Sequence, residues 1–221
     1  MSLALDLSAE LRITEIFLSL QGESNTVGLP TVFVRLTGCP LRCQYCDSAY
    51  AFSGGTLMSL QDIVAEVAGY EVARVTVTGG EPLAQPNVPP LMRALCDAGN
   101  YVSLETSGAL DISDVDDRVI RVVDLKTPDS QECDRNLWEN IQHLTTQDQV
   151  KFVLCSRADY DWAKQKCTEH DLTSKVSDVL FSPSFSELAP TDLANWIVED
   201  RLQVRMQMQL HKQLWGDIPG K

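Results

Sequence analysis

Short strand-like runs alternate with helix-like ones along almost the whole chain, and this alternation narrows its fold most. Thr31-Val32-Phe33-Val34-Arg35-Leu36 is alternating and β-branched and reads as a strand. A helix starts at Ser59. Asp62 stands three residues on in capping position, and Leu60, Ile63, Val64 and Val67 share one face. Val72–Thr78 is a second strand, broken by Gly79-Gly80. Pro89-Pro90 opens a helix through Leu91, Ala94 and Leu95 that Gly99 stops. Further strands are expected over Tyr101–Glu105, Arg121–Leu125, Gln149–Cys155, Val176–Phe181 and Leu202–Leu210, with helices around Trp162–His170 and Leu193–Ile197. Such a succession predicts a parallel sheet with right-handed crossovers. It fits either a doubly wound sheet or an incomplete α/β barrel, in one domain over residues 1–221. In both, functional groups gather at the C-terminal ends of the strands.

Charge excludes some partners. Eighteen Lys and Arg stand against 31 Asp and Glu, a formal net charge of −13. A chain this acidic lacks the clustered cations that grip nucleic acid, and it suits an anionic membrane surface no better. No stretch approaches the roughly 20 apolar residues of a membrane span. Met1–Arg12 places Asp6 and Glu10 ahead of any basic residue, so no signal peptide is expected there. Seven unevenly spaced cysteines fit a reducing cytoplasm better than a disulfide framework.

Three of those cysteines crowd the loop after the first strand. Thr37-Gly38-Cys39-Pro40-Leu41-Arg42-Cys43-Gln44-Tyr45-Cys46-Asp47-Ser48 carries the spacing C-x3-C-x2-C. Inert core thiols do not usually cluster in a turn-rich loop. Zinc wants four ligands. The remaining cysteines are scattered, however, and His143, His170 and His211 form no H-x3-5-H arm. A [4Fe–4S] cluster is the third reading: thiolates suit it, and three ligands on four irons leave one iron open to a small molecule.

C-x3-C-x2-C with an aromatic residue, Tyr45, before the last cysteine resembles the signature of the radical S-adenosylmethionine superfamily. Gly79-Gly80-Glu81-Pro82 matches that superfamily's GGEP motif. The resemblance implies that Cys39, Cys43 and Cys46 hold a [4Fe–4S] cluster whose open iron chelates S-adenosylmethionine. The reduced cluster then cleaves the sulfonium to methionine and a 5′-deoxyadenosyl radical. It implies cofactor contacts from Tyr45, Gly79, Gly80 and Glu81, from Glu105 and Ser107, from Asp124 and Lys126, and from Phe181, Ser182, Pro183 and Ser184 at the end of the sixth strand.

A narrower resemblance covers nearly the whole chain. Ser19-Leu20-Gln21-Gly22-Glu23, then Phe33-Val34-Arg35-Leu36, then Cys46-Asp47-Ser48, with Met208-Gln209-Leu210-His211-Lys212 near the C-terminus, is similar to the 7-carboxy-7-deazaguanine synthase family. That family converts 6-carboxytetrahydropterin to 7-carboxy-7-deazaguanine by a radical ring contraction that releases ammonia, on the route to queuosine and other deazapurines. A shortened α/β barrel of about six parallel strands, a homodimer, a magnesium ion and a reductant such as flavodoxin or ferredoxin are expected with it. By this resemblance Leu20, Gln21, Gly22, Glu23 and Thr78 face the pterin, and Arg35 and His211 clamp its carboxylate. Ser48 binds magnesium where many relatives carry Thr. Asp47 is not expected to be a ligand.

Two other functions share some of these residues. A glycyl-radical-enzyme activase would share the cysteine and GGEP motifs, but not the Gln21–Glu23 segment or the His211 terminus. A non-catalytic zinc or iron–sulfur module would need only the thiols. Cys96, Cys133, Cys155 and Cys167 are expected to serve packing alone. Replacing any of them with Ala or Ser should leave the iron content of the reconstituted protein unchanged, as measured by iron analysis on folded variants.

Overall fold

In a computed structural model of the chain, residues 6–185, 187–216, 218 and 220 are described. The first five residues, part of the stretch expected to lack a signal peptide, lie outside them. Among the described residues one sheet holds β1 (Glu10–Leu20), β2 (Pro30–Leu36), β3 (Thr56–Ser59), β4 (Arg74–Gly79), β5 (Tyr101–Thr106), β6 (Ile120–Asp124), β7 (Gln149–Leu154), β8 (Asp178–Pro183) and β9 (Arg205–Met206). Its order is β3-β1-β2-β4-β5-β6-β7-β8-β9. From β2 to β9 every pairing is parallel and follows chain order. It lacks the reversal of a doubly wound sheet, so the architecture is the incomplete α/β barrel. β1 runs antiparallel to both β2 and β3.

Six helices accompany the sheet among the described residues: α1 (Leu60–Ala68), α2 (Val88–Asp97), α3 (Arg157–Glu169), α4 (Leu172–Lys175), α5 (Pro190–Asp200) and α6 (Leu210–Trp215). At the start of α1, Ser59 Oγ accepts from Asp62 N (3.1 Å) and donates to Asp62 Oδ2 (2.7 Å). The helix then buries Leu60, Ile63 and Val67. At the start of α3, Ser156 Oγ accepts from Asp159 N at 3.2 Å. That cap places the helix start five residues ahead of the expected one. The expected last strand is largely absent. Only Arg205–Met206 pairs with β8, and the chain then turns into α6. No described helix is long and apolar enough to cross a membrane.

Period-two alternation along the strands decides what faces where. Val75 and Val77, Val102 and Leu104, and Val150, Phe152 and Leu154 join one apolar core. Their neighbours Thr78, Glu105, Asp124 and Lys151 instead line the space inside the barrel. The barrel therefore has an apolar outer layer and a polar lumen.

Asp148, just before β7, ties the core together. It is 1% exposed. It accepts from Arg121 N (2.7 Å), Thr145 N (2.8 Å) and Thr145 Oγ1 (3.0 Å), and pairs with buried Arg121. Asp148→Ala strands the Arg121 guanidinium and should cost about 3–5 kcal/mol of stability, measured by urea unfolding.

Candidate active site

The barrel lumen is a cavity of about 630 Å3, and the cysteine loop forms one end of it. The loop is fixed from several sides. Gly38 N donates to Ala51 O (2.8 Å), and Gln44 N donates to Ser130 O (3.1 Å). Arg42 N donates to Glu132 Oε1, while its guanidinium lies over the Phe52 ring and donates to the carbonyls of Cys39 and Leu41. Cys39, Cys43 and Cys46 all line the cavity as free, half-buried thiols. Burial pushes the Cys39 thiol up and that of Cys43 to about 11, with the Lys126 ammonium pulling the other way.

Among the described residues no group of three or more His, Cys, Asp or Glu converges on a single ion position. An iron–sulfur cluster has no such requirement, because each thiolate takes a different iron.

Gly79 and Gly80 line the cavity and also make a close backbone contact. A Cβ on Gly79 would lie 2.5 Å from Leu36 O. One on Gly80 would lie 2.3 Å from Gly38 O and 2.8 Å from Cys39 Cβ. Gly79 also has φ +153°. The glycines let the β4 loop pack backbone-to-backbone against the cysteine loop, with Gly80 N donating to Leu36 O and Glu81 N to Gly38 O.

Glu81 is fully buried behind that contact and does not line the cavity. Its carboxylate accepts from Leu83 N (3.0 Å), Thr106 Oγ1 (2.8 Å) and Ser107 N (2.7 Å), and from Ser107 Oγ. The expected cofactor contact at Glu81 is therefore corrected: it is a strut from the β4 loop to the end of β5. Phe181 is corrected too. Its neighbour Ser182 takes the lumen side, so Phe181 points into the core against Phe152 and Tyr160. The remaining cofactor-side residues all line the cavity: Tyr45, Gly79, Gly80, Glu105, Ser107, Asp124, Lys126, Ser182, Pro183 and Ser184.

Three of these carry buried polar atoms with no hydrogen-bond partner among the described residues: Tyr45 Oη, Asp124 Oδ1 and Ser182 Oγ. Native proteins rarely leave such groups unsatisfied without a ligand to meet them. Three thiols at one end of a lumen lined by residues with unpaired polar atoms fit a cluster and a polar cofactor. Lys126 pairs with Asp124 at 3.1 Å and lies 5.9 Å from the Tyr45 ring centroid. Burial opposes its charge, but Asp124, Tyr45 and Cys43 outweigh burial and hold it well above the usual lysine value.

The other end of the lumen is built by segments outside the parallel repeat. Because β1 is antiparallel, residues 21–29 turn back across the end where β7 and β8 begin. Asn25 N donates to Gln149 Oε1 (2.8 Å) and Asn25 Nδ2 to Asp178 Oδ2 (3.3 Å). The C-terminal segment closes the gap. Gln207 exchanges hydrogen bonds with the Ser24 backbone at 2.7 and 2.8 Å, and Leu210 N donates to Gly22 O at 3.0 Å. A Cβ on Gly22 would collide with the His211 ring at 2.0 Å.

Leu20, Gln21, Gly22, Glu23, Arg35, Thr78 and His211 all line the cavity, with Arg35 and Thr78 paired at the ends of β2 and β4. Gln21 Nε2 donates to Thr76 Oγ1 (3.1 Å) and Glu105 Oε1 (3.3 Å), and Thr78 Oγ1 donates to Glu105 Oε2 (3.2 Å). Burial and nearby Glu23 raise the Glu105 carboxyl. Burial also works against charge on Glu23. There, however, a close ion pair with Lys151 and a 2.7 Å bond from Gln209 win, and the net shift is downward. Arg35 is held by Glu15 at 2.7 Å, between Phe17 and Tyr50. Burial holds His211 below the usual imidazole value.

Lys151 and Gln209 had not been expected on this wall. Lys151 leaves a trace in the sequence: it is a lone charge between Val150 and Phe152, in a strand that otherwise reads as buried. Ser48 lines the cavity, its hydroxyl 3.4 Å from Asp47 Oδ1. Asp47 accepts from Gln209 and pairs with Lys212 at 3.0 Å. An oxygen donor suits magnesium, which with one protein ligand would take the rest of its shell from water and substrate.

Comparison with known proteins agrees with this geometry. The model of the radical SAM superfamily matches residues 33–128, which include the cysteine loop and the Gly79–Gly80 contact. Fold and thiol site together define a radical S-adenosylmethionine protein. A 7-carboxy-7-deazaguanine synthase from Koribacter versatilis is 45% identical over 219 residues, covering 93% of this chain and 97% of that one. One from Chlorobaculum tepidum is 44% identical over 211 residues, covering 94% and 96%. The chain belongs to the 7-carboxy-7-deazaguanine synthase family. The crystal structure of QueE from Escherichia coli shares the fold, with a TM-score of 0.74 at 22% identity over 91% of this chain and 95% of that one.

Gly80→Ala tests the backbone contact. The added methyl should displace Gly38 and Cys39 and lower iron content after anaerobic reconstitution, while the circular dichroism spectrum stays that of the parent.

Proposed function

We propose that this chain converts 6-carboxytetrahydropterin to 7-carboxy-7-deazaguanine with release of ammonia, as a single-domain radical S-adenosylmethionine lyase. The observation that carries this reading is the continuity of one cavity, from the three thiols to the Gln21–Glu23 segment. A cluster-bound cofactor and a flat heterocycle would meet there.

Cys39, Cys43 and Cys46 would hold the cluster. Glycines of the β4 loop, Ser107, Asp124, Lys126 and Ser182 would hold the cofactor. The chemistry these groups supply when bound is one-electron cleavage of the sulfonium and hydrogen-atom abstraction from C6 of the pterin.

The chain's own work is positioning. Glu23, ionised and acceptor-only, suits N–H donors on the heterocycle edge. Gln21 offers both donor and acceptor. Arg35 offers a planar cation to the substrate carboxylate, with His211 as the second group of the clamp. Ser48 would supply one oxygen to magnesium. A homodimer, a cytoplasmic setting and an electron donor of the flavodoxin or ferredoxin kind complete the proposal. The odd number and uneven spacing of its seven cysteines support the setting.

The test is an anaerobic incubation of reconstituted protein with S-adenosylmethionine, dithionite, magnesium and 6-carboxytetrahydropterin, read by mass spectrometry. 7-Carboxy-7-deazaguanine should form, and Cys43→Ala should form neither it nor 5′-deoxyadenosine. Cofactor cleavage with no turnover of the pterin would reject the substrate assignment.

A further inference from the structure

Lys151 is buried in the barrel wall with carboxylates on both sides. Its Nζ forms a close ion pair with Glu23 Oε2 and lies 3.9 Å from Asp124 Oδ2. Its side chain is 11% exposed, as is that of Glu23. Asp124 is in turn paired with Lys126. Lys151 thus stands where the Gln21–Glu23 end of the lumen meets the Asp124–Lys126 end. It comes from the middle of β7, a rigid element, whereas Glu23 lies on a loop.

We propose that Lys151 is a positioning residue for substrate recognition, holding Glu23 as an ionised, oriented acceptor for the N–H groups of the heterocycle's amino-pyrimidine edge. This rests on the function proposed above.

The argument is one of hydrogen-bonding capacity. A carboxylate only accepts, whereas a protonated carboxyl also donates. An amine-bearing edge presents donors and needs the ionised form. Glu23 faces Lys151 from β7, Glu105 from β5, Asp47 from the cysteine loop and His211 from the C-terminal segment. Two of these neighbours are carboxyls and burial works against charge on the histidine, while Lys151 is the cation that forms an ion pair with Glu23. Gln209 Nε2 donates to Glu23 Oε1 at 2.7 Å, leaving Lys151 to fix the other oxygen. With one oxygen set by each partner, the plane of the carboxylate is fixed and its remaining lone pairs are directed.

Glu105, on the neighbouring wall, accepts from Gln21 Nε2 at 3.3 Å and from Thr78 Oγ1 at 3.2 Å, so Gln21 is oriented from β5 as Glu23 is from β7.

The experiment is a double-mutant cycle on the reconstituted holoenzyme with Lys151→Met, Glu23→Gln and the pair, read as KM and kcat for 6-carboxytetrahydropterin. Lys151→Arg is the conservative control, and thermal unfolding of each variant checks the fold. Lys151→Met should raise KM about 10- to 100-fold, the worth of a charged hydrogen bond, with a smaller change in kcat. Lys151→Arg should recover most of it. In the Glu23→Gln background, Lys151→Met should add little, because a neutral amide gains nothing from the ammonium.

Multiplying effects of the two substitutions, or a KM unmoved in Lys151→Met while the parent turns over the pterin, would overturn the role of Lys151 and leave the proposed function standing. A parent holoenzyme that forms no 7-carboxy-7-deazaguanine would overturn both.

Discussion

The inside of this barrel is polar, and two buried lysines make that tolerable. Lys151 and Lys126 stand in a row with Glu23 and Asp124, each cation within 4 Å of a carboxylate. Removing Lys151 would leave Glu23 without its ion-pair partner, and removing Asp124 would do the same to Lys126, each a cost of several kcal/mol. Apolar residues could fill the same space more stably, so the row is better explained by what the lumen must receive. It keeps Glu23 ionised at one end and Lys126 ionised beside the thiols at the other. The strand alternation that sends Val150 and Phe152 outward sends Lys151 inward.

The thiol end rests on a different constraint. Gly79 and Gly80 bring the β4 loop so close to Leu36, Gly38 and Cys39 that a methyl group would not fit. Glu81 anchors the same loop to Thr106 and Ser107 behind it. Consecutive strand ends are thereby locked, and the cysteine loop is held by backbone rather than by flexible side chains. Burial alone disfavours the thiolate at Cys39 and Cys43. A cationic cluster would reverse that preference, because iron binds thiolate and releases the proton.

Much of this was legible in the sequence, and the misses have physical causes. The parallel strands could be read because each is a short β-branched run closed by Gly, Pro or a polar residue. The cysteine loop and Gly79-Gly80 are contiguous motifs, so their chemistry survives without a structure. The start of α3 was missed because its Ser156 cap is followed by a polar turn rather than an apolar one. Leu202–Leu210 alternates like a strand, yet its side chains Gln207 and Gln209 are used to bond Ser24 and Glu23, nearly two hundred residues away in sequence. Glu81 and Phe181 were misplaced for the same reason. A motif gives a residue's neighbourhood, and only strand parity and packing decide whether it faces the lumen or the layer behind.

The two ends of the cavity come from different parts of the chain, and this bears on how the molecule divides its work. The thiols, the glycines, Ser107, Lys126 and Ser182 sit on or next to the C-terminal ends of parallel strands, where an α/β barrel places reactive groups. Gln21 and Glu23 enter from the opposite end because β1 runs antiparallel, and Gln209 and His211 follow β9 into the gap the sheet leaves open. Neither segment belongs to the repeating unit of the barrel. The C-terminal segment nonetheless touches the cysteine loop, where Gln209 and Lys212 meet Asp47. The two parts must still be kept in register, and side chains from rigid strands do this: Glu105 on β5 receives Gln21, and Lys151 on β7 receives Glu23. Radical chemistry is thus assigned to the barrel rim and recognition to the added segments, with β5 and β7 setting the distance between them.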